Sequence, residues 1–400
     1  MKKLEKIIYL SLRFPHVDKN EDIYAVLMNE FIQNGHEVLI IAPTQDRKHS
    51  ELVIESGMKV LRVPTLKLFG KNKIVKGIAN IFLPFLFKKA LKKHKISLDF
   101  DLIIIPTPPI TLIDVALWIK KKSSGKLYLI LRDIFPQNAV DLKIMNPNGL
   151  IHSYFRKKEI KLYKESDSIG CMSPANVEYI IKHNSYLDTS KLHLLPNWEN
   201  PQIIEDSDDD ESIRVQYGLE NKIVAIFGGN IGLPQKMENI INLAKNCQEL
   251  EDLVFLIIGD GTEKNRINEM VNSMKLKNVI FKDSLPQIIY NKILRLADIG
   301  LISLSEDFTI PNFPSKVNAY YSLKKPVLAS VDVNTDFGPI QEKINCGFWS
   351  EAGNTALFKK NLLKLYYSEE LREELGKNGY DYLVNNLSLS QSYNRILDNI

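Results

Sequence analysis

The stretch KIVAIFGGNIGLPQK at residues 222–236 decides the fold. It opens as an apolar run of strand length, is cut by Gly228, Gly229 and Gly232, and passes into a helical pattern at Lys236. A strand delivered through glycines onto a helix start binds phosphate. The helix N-terminus offers unpaired N–H groups and the positive end of its dipole, and glycine lets an anion approach the main chain. A second such junction lies in PNFPSKVNAYYSLKKP, residues 311–326, where Ser315 is placed to cap a helix whose first turn carries Lys316. A weaker turn, Gly259-Asp260-Gly261, follows the apolar run LVFLIIG at 253–259. Any one of these alone reads equally as a tight turn or an ordinary capped helix. Three on one sheet edge point to a nucleotide diphosphate held by Gly229, Asn230, Lys236, Gly259, Asp260, Ser315 and Lys316.

Outward from this stretch, short apolar runs alternate with helical patterns, the signature of parallel sheets covered on both faces. The first half predicts strands at 6–12, 37–43, 59–64, 101–106, 127–133, 168–173 and 191–196. The second half predicts strands at 222–228, 253–259, 279–281, 298–303 and 326–330. Between them, Pro201 and an acidic run break the pattern. The fold class is α/β: two Rossmann-like domains with parallel sheets facing an interdomain cleft, ligands sitting at the carboxyl ends of the strands. The division is 1–197 for an acceptor domain, 198–213 for a linker, 214–385 for a nucleotide-sugar domain, and 386–400 for a helix returning to the first domain.

Composition sets further limits. At 400 residues, 44% hydrophobic and 25% charged, the chain is long enough for two cores. Its three cysteines, Cys171, Cys247 and Cys346, are widely spaced and suggest neither a disulfide framework nor a zinc site, which fits a reducing cytoplasm. The N-terminal apolar run is too short for a signal peptide and lacks a cleavage site, so it reads as the first strand. The net charge of +4 hides an asymmetry: residues 1–196 hold 31 Lys and Arg against 19 Asp and Glu, the remainder 21 against 29. The first half therefore seeks an anionic partner. Its excess is concentrated in 67–95, with nine lysines, no acidic residue, and Ile74, Ile78, Ile81, Phe82, Phe85, Leu86 and Phe87 interleaved. This segment reads as a basic amphipathic helix lying on an anionic membrane surface, too short and too broken by Pro84 to span one. The alternative is a surface helix packed on its own sheet. No aromatic stacking platform points to nucleic acid.

Over nearly its full length the chain resembles the retaining GT-B glycosyltransferases of family 4, in the branch that builds capsular and O-antigen repeat units. The resemblance rests on LRDIFPQNAV (131–140), LPNWENP (195–201), FGGNIGLPQK (227–236), IIGDGTE (257–263), SLPQIIYNKILRLADIGLISL (284–304), PSKVNAYYSLKKPVLAS (314–330) and CGFWSEAGN (346–354). It implies a UDP-sugar bound mainly by the second domain, a lipid-linked saccharide acceptor bound by the first, and transfer with retention and without a metal or other cofactor. Leu285 falls where the family's backbone meets the base. Among family members the chain is most similar to transferases of N-acetyl-L-fucosamine. The implied location is the cytoplasmic face of the plasma membrane, held peripherally.

The chain also departs from that pattern. The family's two glutamates, separated by seven intervening residues, fall on Pro311 and Ala319, and the glycine of the following step is Lys324. Asn318 or Glu306 then stands as the group that could reach ribose. The glycine-rich loop after the first strand is replaced by RFPHVDKNED at 13–22, in which His16 is a lesser acceptor-side candidate. Arg132 and Asp133, ending the strand 127–133, are expected at the acceptor site, with Asp133 orienting or deprotonating the acceptor hydroxyl; equally, Asp133 could cap Gln137. The missing glutamates leave two other readings beside the transferase: a non-catalytic GT-B subunit supporting a partner enzyme, and a UDP-N-acetylhexosamine epimerase.

Overall fold

A computed structural model describes residues 5–14, 22–68, 73–201 and 210–400. The chain divides into two compact units, one formed by the N-terminal part to Pro196 together with Leu389–Ile400, the other by Asn197–Ser388. The first holds β1 (Lys6–Leu10), β2 (Glu37–Thr44), β3 (Glu51–Glu55), β4 (Met58–Pro64), β5 (Leu102–Pro106), β6 (Lys126–Leu131), β7 (Ser168–Cys171) and β8 (Leu192–Leu194). Their order across the sheet is β3-β4-β2-β1-β5-β6-β7-β8. All pair in parallel except β3, which runs antiparallel to β4. β3 was not foreseen. It is a half-exposed edge strand, joined to β4 by Ser56 and Gly57, both at positive φ (45° and 79°), which is the geometry of a tight hairpin turn.

Strands buried on both faces carry unbroken apolar runs, as Ile7, Ile8, Tyr9 and Leu10 of β1 do at 0% exposure. The helix Leu389–Asp398 closes this unit: Tyr393 meets the Phe31 ring edge-on, and its hydroxyl lies 2.9 Å from His36 Nε2.

The second unit holds β9 (Ile223–Asn230), β10 (Leu253–Asp260), β11 (Val279–Lys282), β12 (Ile299–Ser303), β13 (Val327–Val331) and β14 (Gly347–Glu351), ordered β11-β10-β9-β12-β13-β14 and parallel throughout. β14 was also missed: within CGFWSEAGN, Phe348 and Trp349 stay half-buried and no continuous apolar run marks it. Alternate residues feed two cores, Val224 and Ile226 on one face of the sheet, Ala225 and Phe227 on the other. The ends of the expected linker are ordered. Trp198 is 1% exposed, Glu199 N donates to Leu387 O at 3.0 Å, and Asp210–Tyr217 is a helix. Residues 202–209 lie outside the described residues.

The basic segment forms the helix Lys73–Lys93. Ala79, Leu83, Phe87, Ala90 and Leu91 are buried, while Val75, Ile78, Ile81, Phe82 and Phe85 form a second, exposed apolar stripe. The buried face is that of a surface helix packed on its own unit.

Candidate functional site

In the second unit, β9 and β10 end side by side, with Gly229 opposite Gly259 and Asn230 opposite Asp260. The strands approach too closely for side chains here: a Cβ on Gly259 would lie 1.9 Å from Gly229 O, and one on Gly261 2.1 Å from Ile231 O. Gly229 adopts φ +123°, a conformation costly for other residues. Across this junction lies Lys316. Its Nζ sits 3.5 Å from the centroid of the Phe227 ring and 3.7 Å from the position a Cβ on Gly229 would take. That ammonium is buried and has no hydrogen-bond acceptor among the described residues. Burial pushes its pKa down to about 7. The ring face offsets part of the cost of the buried charge, and an anion entering beside Gly229 would offset the rest.

Lys316 is not held as expected. It is itself the N-cap residue of the short helix Val317–Ser322, with no side-chain cap. Ser315 is exposed and caps nothing with its side chain; the first turn closes through Val317 N to Pro314 O and Asn318 N to Ser315 O, both 3.3 Å. Asn318 is 2% exposed; its Nδ2 donates to Asn197 O at 2.8 Å, while its Oδ1 has no hydrogen-bond partner among the described residues.

Lys236 also differs from expectation. It does not open a helix but follows the 3-10 turn Leu233–Gln235 in the left-handed conformation (φ 39°), two residues before the helix Glu238–Lys245. Its Nζ pairs with Glu306 Oε1 at 2.8 Å, which raises the lysine pKa. Glu306, weighed in the sequence as a group that could reach ribose, is thus the ion-pair partner of Lys236. The Asn230 amide is engaged too, donating from Nδ2 to Gln235 Oε1 at 2.9 Å. Asp260 accepts from Gly261 N at 2.8 Å, and Lys264 Nζ lies 3.8 Å from its carboxylate. Leu285, just beyond β11, packs half-buried on the core.

In the first unit, Thr107 at the end of β5 accepts from both Arg132 N (3.0 Å) and Asp133 N (3.2 Å), fixing the turn after β6. Arg132 donates from Nη1 to Leu195 O at 2.9 Å and hydrogen-bonds Tyr24; burial lowers its pKa. Burial raises the Asp133 carboxyl to about 6. That carboxylate does not cap Gln137, whose Nε2 donates to Asp141 Oδ1 at 2.7 Å. Tyr24 was missed in the sequence; its signal was Asp22, which caps the helix Ile23–Gln33 and delivers Tyr24 to this turn. Phe227 was missed because a buried strand phenylalanine reads as core. His16 lies outside the described residues.

Residues 24–202 match the model for Glycosyltransferase Family 4, and residues 209–382 that for Glycosyl transferases group 1. The chain is a glycosyltransferase with a family 4 domain followed by a group 1 domain. It is 25% identical to the probable glycosyltransferase WbjE of Pseudomonas aeruginosa over 286 residues, 70% of this chain and 69% of that one. In fold, the glycosyltransferase is similar to WaaG, a transferase involved in lipopolysaccharide biosynthesis, with a TM-score of 0.69, 13% identity, and 97% and 98% of the two chains covered. It is also similar to Anabaena HepE in complex with UDP-glucose, with a TM-score of 0.69, 14% identity, and 98% of each chain covered. The two Rossmann-like units are those of the GT-B architecture.

Proposed function

We propose that this glycosyltransferase moves a sugar from a UDP-sugar to a polyprenyl-diphosphate-linked saccharide, with retention and without a metal, in the synthesis of a surface polysaccharide. The observation that carries the reading is Lys316: a buried ammonium with no acceptor, facing the open main chain of Gly229. In the reaction, the bond from the sugar's anomeric carbon to the diphosphate breaks with its electron pair going to UDP. A new bond to the acceptor oxygen forms, and the hydroxyl proton passes to a base. Lys316 would stabilise the growing diphosphate charge, where preorganised electrostatics lowers a barrier, and Asp133 would take the proton. The UDP found with HepE, and the polysaccharide context of WaaG, support the donor and product classes. An N-acetylated amino sugar such as N-acetyl-L-fucosamine is the proposed sugar, on the sequence resemblance.

No helix among the described residues is long and apolar enough to cross a membrane. Attachment is proposed to be peripheral, at the inner face of the plasma membrane, through the exposed stripe of Lys73–Lys93. Incubation of the full chain with lipid-linked acceptor and a panel of UDP-sugars should release UDP with one donor, equally in EDTA. No release with any donor overturns the transferase reading. UDP binding without turnover would instead favour the non-catalytic subunit, for which Pro311 and Ala319, standing where the family carries glutamates, are the motivation.

A further inference from the structure

Arg132 and Asp133 are consecutive, and an arginine so placed can turn onto the carboxylate beside it, pair with it and lower its pKa. Here it does not. Both backbone N–H groups donate to Thr107 Oγ1, at 3.0 and 3.2 Å, which pins the turn after β6. From that turn the two side chains are used differently. Arg132 Nη1 donates to Leu195 O at 2.9 Å, whereas the half-buried Asp133 carboxyl has no hydrogen-bond or ion-pair partner among the described residues. The second hold on Arg132 is its hydrogen bond to the Tyr24 hydroxyl. That phenol is placed by contacts independent of Arg132. Tyr24 N donates to Oδ1 of the N-cap residue Asp22 at 2.8 Å, and the Tyr24 ring lies against Tyr9, which is 0% exposed, with centroids 5.6 Å apart. The guanidinium is thus shared between a backbone carbonyl and a fixed phenol.

We propose that Tyr24 is a positioning residue: by holding Arg132 it keeps the guanidinium off Asp133, which is left as an unpaired carboxyl able to take the acceptor's proton. This rests on the reading of Asp133 as the base and adds what keeps that carboxyl from being neutralised by its neighbour. Arginine carries its charge at every working pH, so only its position can decide whether Asp133 feels it. The Asp133 carboxyl at about 6, raised by burial, is that of a group without a cationic partner. The other titratable groups described around this turn are Tyr9 of β1, Arg13 just after it, Asp22 and Tyr24 at the start of the helix Ile23–Gln33, and Tyr128 of β6. Burial raises the Asp22 carboxyl as well, so an acid-range titration of the whole chain mixes the two.

Tyr24→Phe removes the hydroxyl and keeps the ring on Tyr9. Melting of the full chain is followed from about pH 4 to 8 with and without Asp133→Asn, both in the parent and in Tyr24→Phe, so that each difference reads Asp133 and cancels Asp22. In the parent the fold favours the protonated carboxyl, and the stability that Asp133 contributes relative to Asp133→Asn falls as pH rises from about 4 through 6. In Tyr24→Phe the released Arg132 favours the carboxylate, and that fall should shrink by half or more, equivalent to a midpoint about one pH unit lower. An unchanged fall, or a lower melting temperature at every pH with the midpoint in place, overturns the proposal. In an Arg132→Met background Tyr24→Phe should leave the difference unmoved, because its effect passes through the guanidinium; a shift that persists there also overturns it. Turnover separates the proposal from the reading of Asp133 as base. A limb near pH 6 that moves down by about one unit in Tyr24→Phe supports both. A limb that stays in place keeps the base and removes Tyr24, whereas a melting difference that moves while the parent shows no limb near pH 6 keeps the hold on Arg132 and removes Asp133 as the base.

Discussion

Lys236 Nζ and Glu306 Oε1 lie 2.8 Å apart, so one of the two lysines assigned to the diphosphate is already paired with a carboxylate. The pair is about a third to a half exposed, which limits its strength to the roughly 0–1 kcal/mol of surface ion pairs. Its consequence is for binding: an incoming diphosphate must compete with Glu306. Glu306→Gln should tighten UDP binding by up to about fivefold. A titration showing unchanged or weaker binding would mean that Lys236 does not face the diphosphate.

Lys316 behaves in the opposite way because it has no carboxylate. Lys316→Ala should weaken UDP binding by roughly 1.5–3 kcal/mol through loss of a charge-assisted hydrogen bond. With its pKa near 7, well below the ordinary lysine value, the charged form destabilises the folded chain. That penalty is complete below about pH 7 and fades as pH rises toward about 10.4, the unfolded value. Lys316→Met should therefore melt higher than the parent at pH 7, with the difference shrinking toward pH 10. UDP binding at pH 8 should also take up a proton, visible as a buffer-dependent enthalpy. Binding heats independent of the buffer would place Lys316 outside the anion site.

Asp133 gives a pH signature of its own. A carboxyl raised to about 6 is favoured in its protonated form by the fold, so stability falls as pH rises from about 4 through 6. Asp133→Asn should remove that slope in thermal melts. If Asp133 is the base, turnover of the parent should rise through pH 6 and Asp133→Asn should lose about 10²-fold or more in kcat. A variant with altered melting but unaltered kcat would reduce Asp133 to a structural residue.

A fourth expectation concerns the loop after β1. Arg62, 2% exposed, pairs with Glu55, 6% exposed, through Nε to Oε1 at 2.9 Å, and also donates to Phe14 O. Removing the arginine strands a buried carboxylate, so Arg62→Met should cost about 3–5 kcal/mol in urea unfolding. The double change Arg62→Met with Glu55→Leu should recover most of it. If the single change were silent, Glu55 must reach water.

How far the chain could be read depended on the kind of interaction involved. β9 was legible because an apolar run ended by glycines has few alternatives, and so was the helix around 74–94. β3 and β14 were not: a short half-exposed edge strand and a half-buried one carry no long apolar run, and β14 pairs with β13, well before it in sequence. The glycine turns after β9 and β10 were read as lying on one sheet edge, and register brings Gly229 beside Gly259. The states of individual side chains were not legible. Whether a lysine is paired, as Lys236 is, or buried without an acceptor, as Lys316 is, depends on Glu306 and Phe227, which local pattern does not connect to them.

The sequence by itself determined the α/β class, the two-unit division of the strands and the family, because hydrophobic periodicity and glycine-marked turns are local and each acts within a few residues. Only the tertiary structure decided which polar groups remain available to a ligand. The Nδ2 of Asn318 is taken by Asn197 O, that of Asn230 by Gln235, and Lys236 by Glu306, whereas the Asn318 Oδ1 has no partner and the Lys316 ammonium is held over an aromatic face with no acceptor among the described residues. Hydrogen-bond satisfaction and desolvation depend on everything within a few ångströms in space, and chain order does not encode that directly.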